Sequence, residues 1–417
     1  MTTTAQTCVP FDKAPAQPDR LEHLNFEEHN SEVRAMWAAF NAGTPTRVPV
    51  ILGTNTRYFM FNEAANPCHL DFRTYTENPD IMFEAQLRFA RWSRTNLLQD
   101  AELGLPERWR ISVDFQNYYE AAWFGCPLVY CQGEVPDTRA SFADCPERVM
   151  EHGLPDPFGG VMARGLDYYN RFQIRAEKRG ETYLNRPIDI NPPGFGLGSD
   201  GPMTVACNLF GAQFVCTAMA TEPERLHKLL EFITEATISR MLAWRRLVGI
   251  PFPQPGFGIA DDSIALISTR MYRAHILPYH RQIYSTLGTG APGSIHLCGD
   301  ATRHFTTLRD ELNIRSFDTG FPVDFGALRK QVGTDVRIQG GPHIELLRSG
   351  SVEDVKQETL RILNSGVLEG GKFVMREGNN LAPHTPPENT EAMVQTCREY
   401  GRFVTNLDCA NETNANQ

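Results

Sequence analysis

His296 and Cys298 stand two residues apart in Ser294-Ile-His-Leu-Cys298, and this spacing is the strongest chemical signal in the chain. Side chains two apart on a strand share a face, so an imidazole and a thiol are presented together. Both are common zinc ligands. A core histidine beside a small buried cysteine would leave the same trace, so the pair needs company before it means a metal. That company consists of Asp114, Asp261-Asp262, Asp318 and Glu377-Gly-Asn379-Asn380, all at the ends of apolar segments. Carboxylates so placed suit acid–base work or ligation. Each also has a plainer use. Asp261 or Asp262 could cap a helix before Ser263. Asp318 could hold a neighbouring loop. Gly340-Gly341-Pro342 either lets a ligand approach backbone or turns the chain.

A repeating strand–helix pattern must position these residues. Ser294–Cys298, Ile314–Asp318, Asp335–Gln339 and Lys372–Arg376 read as strands. Helices read between them, over about 301–312 and 324–332. A third opens on Ser351 with Asp354 three later, a capping box, with Val352, Val355, Thr359, Ile362 and Leu363 on one face. Thr385 with Glu388 predicts a capped last helix through Met393, Cys397 and Tyr400. The N-terminal half is less regular. Arg47–Leu52, Ile111–Asp114, Pro127–Cys131, Met203–Ala206 and Gly256–Ala260 are candidate strands. A long amphipathic helix is expected over 221–249, opened by Thr221 with Glu224 and carrying a Leu226, Leu229, Leu230, Ile233, Met241, Trp244 and Val248 stripe.

About eight such units predict a single (β/α)8 TIM barrel over 22–407, between loose polar ends 1–21 and 408–417. Chemistry in such barrels sits at the C-terminal strand ends, where the residues above fall. No GxGxxG follows the first strand, which removes support for a dinucleotide-binding domain.

The formal charge of -10 argues against nucleic-acid and anionic-membrane partners. No apolar run is long enough to span a bilayer, and the polar first twenty residues do not read as a signal peptide. Ten scattered cysteines without a CxxC pair predict reduced thiols and a cytoplasmic setting, most of them small buried residues such as Cys207 and Cys216.

These motifs resemble the uroporphyrinogen decarboxylase superfamily, which also holds zinc-dependent methyltransferases that act on corrinoid proteins. The likeness runs from about Val48 to Arg402. It rests on Asp262–Pro278 with Ser268, Tyr272 and Leu-Pro-Tyr279, on His296-Leu-Cys-Gly299, on Gly340-Gly-Pro342 and on Thr385-Pro-Pro-Glu-Asn389. For the decarboxylase branch it implies that Arg57-Tyr58 match a substrate-binding arginine and tyrosine, and that Asp114 stands near the aspartate that holds pyrrole N–H groups. That branch's first loop arginine is missing. For the methyltransferase branch it implies metal at His296 and Cys298, with Asn379 where a second cysteine is expected. An oxygen from Glu377, Asp318 or Asp262 would then complete the shell.

The resemblance implies three functions. The leading one is a zinc- or other divalent-metal-dependent methyltransferase or demethylase. It would move a methyl group between a small thiol, methoxy or methylthio compound and a corrinoid or pterin carrier. In it Asp114, Asp262 and Asp318 would be catalytic, and Arg57, Tyr58, Gly340, Gly341, Asn379 and Asn380 would bind substrate. The second is a cofactor-free decarboxylase, and the third a non-catalytic relative that binds a tetrapyrrole or small molecule. A small-molecule substrate and a corrinoid protein are the partners implied, with a homodimer as a candidate assembly.

Overall fold

The computed structural model describes residues 19–403; of the ends expected to be loose, 1–18 and 408–417 lie outside the described residues. The remaining three residues of the first segment are docked. Leu21 is buried and its N–H donates to the Thr95 carbonyl, while Arg20 pairs with Glu388 and Glu391 of the last helix.

Ten strands are described: β1 (Trp109–Ile111), β2 (Leu128–Val129), β3 (Asp137–Thr138), β4 (Thr182–Tyr183), β5 (Arg186–Ile190), β6 (Gly258–Ala260), β7 (Gly293–Leu297), β8 (Ile314–Thr319), β9 (Arg337–Gly340) and β10 (Phe373–Met375). Five form a parallel sheet in the order β10-β9-β8-β7-β6. The segment around Val50 extends it beside β10, where Val50 bridges Met375 in parallel. The Asp100 N–H then donates to the Val50 carbonyl. Beyond β6, the Ala260 N–H donates to the Ser199 carbonyl, and β5 lies parallel to β1. Parallel segments met in chain order with helices outside them make a fold of TIM-barrel type.

The alternation along β7 shows why this positions a site. Gly293, Ile295 and Leu297 are buried against the helical layer, and Ser294 and His296 face the interior half-buried. Helix Val352–Leu363 has the predicted capping box, and Asp324 caps helix Phe325–Val332. Among the described residues no single helix is long and apolar enough to cross a membrane.

Several sequence expectations fail for local reasons. Met203–Ala206 lies in helix Pro202–Phe210, which Gly201 and Pro202 start and whose N-terminal N–H groups Asp261 receives. The Pro127–Cys131 segment does hold a strand, β2, but it pairs antiparallel with β3 in a separate hairpin rather than joining the parallel sheet. The Thr221–Glu224 box does not form, because Thr221 ends the preceding helix and Pro223 starts the next. Thr385 does not cap the last helix either. Its hydroxyl donates to the Ala382 carbonyl, and Pro387 opens the helix. Val352, at the first position of its helix, is exposed rather than inward. Cys207 and Cys216 are only partly buried.

Candidate functional site

β7 ends at Leu297, and its interior face delivers His296 and then Cys298. The Nε2 of His296 lies 3.1 Å from the Cys298 Sγ and 4.0 Å from Asp262 Oδ1. Asp262 opens the short helix Asp262–Leu266 after β6, and the same Oδ1 accepts the Cys298 backbone N–H at 2.6 Å. One nitrogen, one sulfur and one oxygen thus lie within 4.8 Å of one another. That donor set fits a zinc-like ion that also tolerates oxygen.

The other imidazole nitrogen is committed. His296 Nδ1 lies 2.9 Å from Asp318 Oδ2, and these residues are register partners on β7 and β8. A carboxylate on the far side of a histidine fixes its tautomer and aims the free nitrogen. Arg376 in turn donates to Asp318 at 2.7 Å. Burial lowers the proton affinity of His296, but the hydrogen bonds from Asp318 and Cys298 outweigh it and raise the pKa to about 10.

A cavity of about 440 Å³ lies along this wall. It is lined by Tyr119, Ser199, Ser294, Ser316 and Gln339 besides His296 and Asp318. A second, of about 370 Å³, is lined by Asn55, Gln86, Asp114 and Gln116, and Tyr119 lines both. In the second, Asp114 accepts hydrogen bonds from Tyr75 Oη at 3.0 Å and Gln116 Nε2 at 2.6 Å. Arg57 reaches the same network through Nε to Gln116 Oε1 at 3.2 Å. Burial lowers its pKa, against the pull of Asp114.

The remaining candidates stand elsewhere. Glu377 is buried and outside the donor group, its carboxylate held by the Gly53 N–H at 2.9 Å and by Arg376 at 2.8 Å. The third donor is therefore Asp262. Asn379 meets Arg376 through its backbone carbonyl at 3.1 Å, beside Asn380 in the same loop. Gly340 and Gly341 are buried at a strand crossing, where a Cβ would strike the Thr319 and Arg376 carbonyls. Their missing side chains serve backbone packing. Tyr58 is wholly buried and donates to the Thr385 carbonyl at 2.7 Å, tying the first loop to the last. Tyr58→Phe should cost about 1 kcal/mol of stability with substrate affinity unchanged. A large rise in KM at unchanged melting temperature would restore the substrate-binding role.

Sequence reasoning missed two supports of the site. Arg240, on helix Pro223–Leu247, pairs with Glu120 at 2.5 Å, and both are almost wholly buried. Glu120 also receives the Asp200 N–H at 2.6 Å and Ser199 Oγ at 3.3 Å, which fixes the loop that walls the first cavity. Burial, and then the Glu120 and Asp262 carboxylates, push the Asp200 pKa up to about 8. An arginine in an otherwise apolar helix stripe was the signal for the pair; nothing in sequence marked Asp200.

This fold and site together define a TIM-barrel-type protein with a metal-capable donor group at its strand ends. Residues 194–400 match the model of the uroporphyrinogen decarboxylase (URO-D) family. The match is narrower than the span of the motif resemblance. A methylated-thiol–coenzyme M methyltransferase from Methanosarcina mazei is 28% identical over 207 residues, covering 48% of this chain and 51% of that protein. The match thus spans about half of that relative's length. A uroporphyrinogen decarboxylase from Xanthomonas euvesicatoria pv. vesicatoria is 25% identical over 293 residues, 67% of this chain and 76% of its own. Among solved structures, a methyltransferase from Methanosarcina mazei covers 88% of this chain and 98% of its own at 18% identity, with a TM-score of 0.60. That likeness extends the shared fold into the N-terminal half.

Proposed function

We propose that the chain is a metal-dependent methyltransferase or demethylase of the uroporphyrinogen decarboxylase superfamily. It would pass a methyl group between a small thiol, methoxy or methylthio compound and a corrinoid or pterin carrier, with a corrinoid protein as partner. The observation that carries this reading is the convergence of Asp262, His296 and Cys298 within 4.8 Å. Three protein donors leave a position open for substrate. A bound divalent ion would supply Lewis acidity and favour the thiolate form of a thiol acceptor. The chain's own residues do the rest. Asp318 and Arg376 hold His296 in one tautomer and orientation. The polar cavity wall of Ser294, Ser316 and Gln339 receives a small polar substrate. The proton that the acceptor thiol releases passes to solvent. The sulfur then gains the methyl group, and the electron pair of the broken bond stays with the carrier.

A second reading, cofactor-free decarboxylation, is favoured by the separate cavity in which Asp114 accepts two side-chain donors beside Arg57. One assay divides the two. Purified protein with zinc, free methylcobalamin and a small thiol should demethylate the cobalamin, followed by its visible spectrum. Spectral silence together with carbon dioxide release from a carboxylated pyrrole would reverse the order.

A further inference from the structure

In the helical layer, away from both cavities, helices Pro223–Leu247 and Thr269–His275 bring together two imidazoles that the proposed chemistry leaves unused. His275 Nδ1 lies 3.3 Å from His227 Nε2. The ring centroids are 5.3 Å apart and the planes inclined by 34°. The Nδ1 of His227 lies 2.9 Å from the Tyr279 hydroxyl oxygen. That hydroxyl is also 2.9 Å from the His227 carbonyl, to which it donates its one proton. A hydroxyl whose proton is committed can only accept from the ring. His227 therefore carries its proton on Nδ1, and its Nε2 lone pair points at His275. Burial, and then His227, lower the pKa of His275, which keeps that ring in the neutral, ligating form.

The spacing separates two ways of holding such a pair. A nitrogen–acceptor hydrogen bond spans roughly 2.7–3.2 Å. Two nitrogens bound at the tetrahedral angle to one zinc, at its usual bond length, stand about 3.3–3.4 Å apart. The observed 3.3 Å is long for the first and matches the second, so an ion could replace a long ring-to-ring hydrogen bond with little movement of either ring. Both rings are part-exposed, so water can reach the remaining coordination positions.

We propose that His227 and His275 form a second divalent-metal site, for an imidazole-preferring ion of the zinc type, with water completing the shell. Tyr279 aims His227 by accepting its Nδ1 proton, as an outer partner does for a metal-bound histidine. The site shares no residue with the Asp262, His296 and Cys298 group, so it stands whether or not that group holds metal.

The test is a calorimetric zinc titration of the full, metal-stripped chain. The Cys298→Ser chain should retain a zinc event that His227→Gln or His275→Gln, added singly, removes. Tyr279→Phe should keep the stoichiometry and weaken this event about ten-fold or more. The shifted affinity also answers the case in which a histidine variant fails to fold. If the histidine variants bind as many zinc ions, as tightly, as their parent, the proposal is overturned. An unchanged affinity in a folded Tyr279→Phe chain overturns it as well. Loss of the Cys298-dependent event alone bears only on the proposed function.

Discussion

Serine in place of Cys298 should lower bound zinc and methyl transfer together, by at least about 100-fold in metal affinity. The estimate follows from the donors. Cys298 supplies the only sulfur of the Asp262, His296 and Cys298 group, and an oxygen at the same position is a poorer partner for zinc than thiolate. Asp318→Asn is the companion experiment. It removes the anion from His296 Nδ1 while leaving all three donors in place. Loss of such an outer partner typically costs 10–100-fold in affinity or activity. Asp318→Asn should therefore fall between the parent and Cys298→Ser, and added zinc should rescue it further. Equal damage from both changes, with no recovery at high zinc, would make Asp318 a participant in the chemistry. Full activity of chelator-stripped protein would remove the metal from the reaction and put decarboxylation first.

The C-terminal half of the fold was legible because its strands are short apolar runs with period-two interiors and its helices carry caps at the expected offsets. β7 and β8 begin and end within one residue of their predicted bounds. The shared face of His296 and Cys298 follows from that period alone. The third donor was less legible. Asp262, Asp318 and Glu377 all end strands, and sequence cannot say which carboxylate is already occupied. Asp318 is taken by His296 and Arg376, and Glu377 by Gly53 and Arg376. Asp261, beside Asp262, belongs to a helix N-terminus far off in sequence. The N-terminal half was harder because its strands barely pair. The Val50 segment joins the sheet through an isolated bridge, and β1 is three residues long. Helix Pro202–Phe210 is so apolar that its sequence reads equally as a buried strand.

Removing the buried Arg240 charge should have the largest effect on stability, and the effect should depend on pH. The guanidinium donates to Glu120, to the Gly198 carbonyl at 2.9 Å and to the Phe195 carbonyl. Arg240→Leu leaves the Glu120 carboxylate buried without its cation, and breaking such a pair costs about 3–5 kcal/mol. Burial already raises the Glu120 pKa, with Arg240 opposing that rise. Without Arg240 the rise is unopposed. The folded variant then holds a proton that the unfolded chain, with a glutamate pKa of about 4.3, releases. Stability of the variant must therefore fall as pH rises from the unfolded pKa through the folded one. Denaturant unfolding should show a smaller penalty at pH 5 than at pH 8, and adding Glu120→Gln should flatten the difference. The cavity wall should respond as well, since Glu120 holds the Asp200 N–H and the Ser199 hydroxyl. Substrate affinity in Arg240→Leu should weaken more than zinc affinity, because the metal donors come from other loops. A penalty that is the same at both pH values would mean that water replaces the guanidinium and Glu120 stays charged.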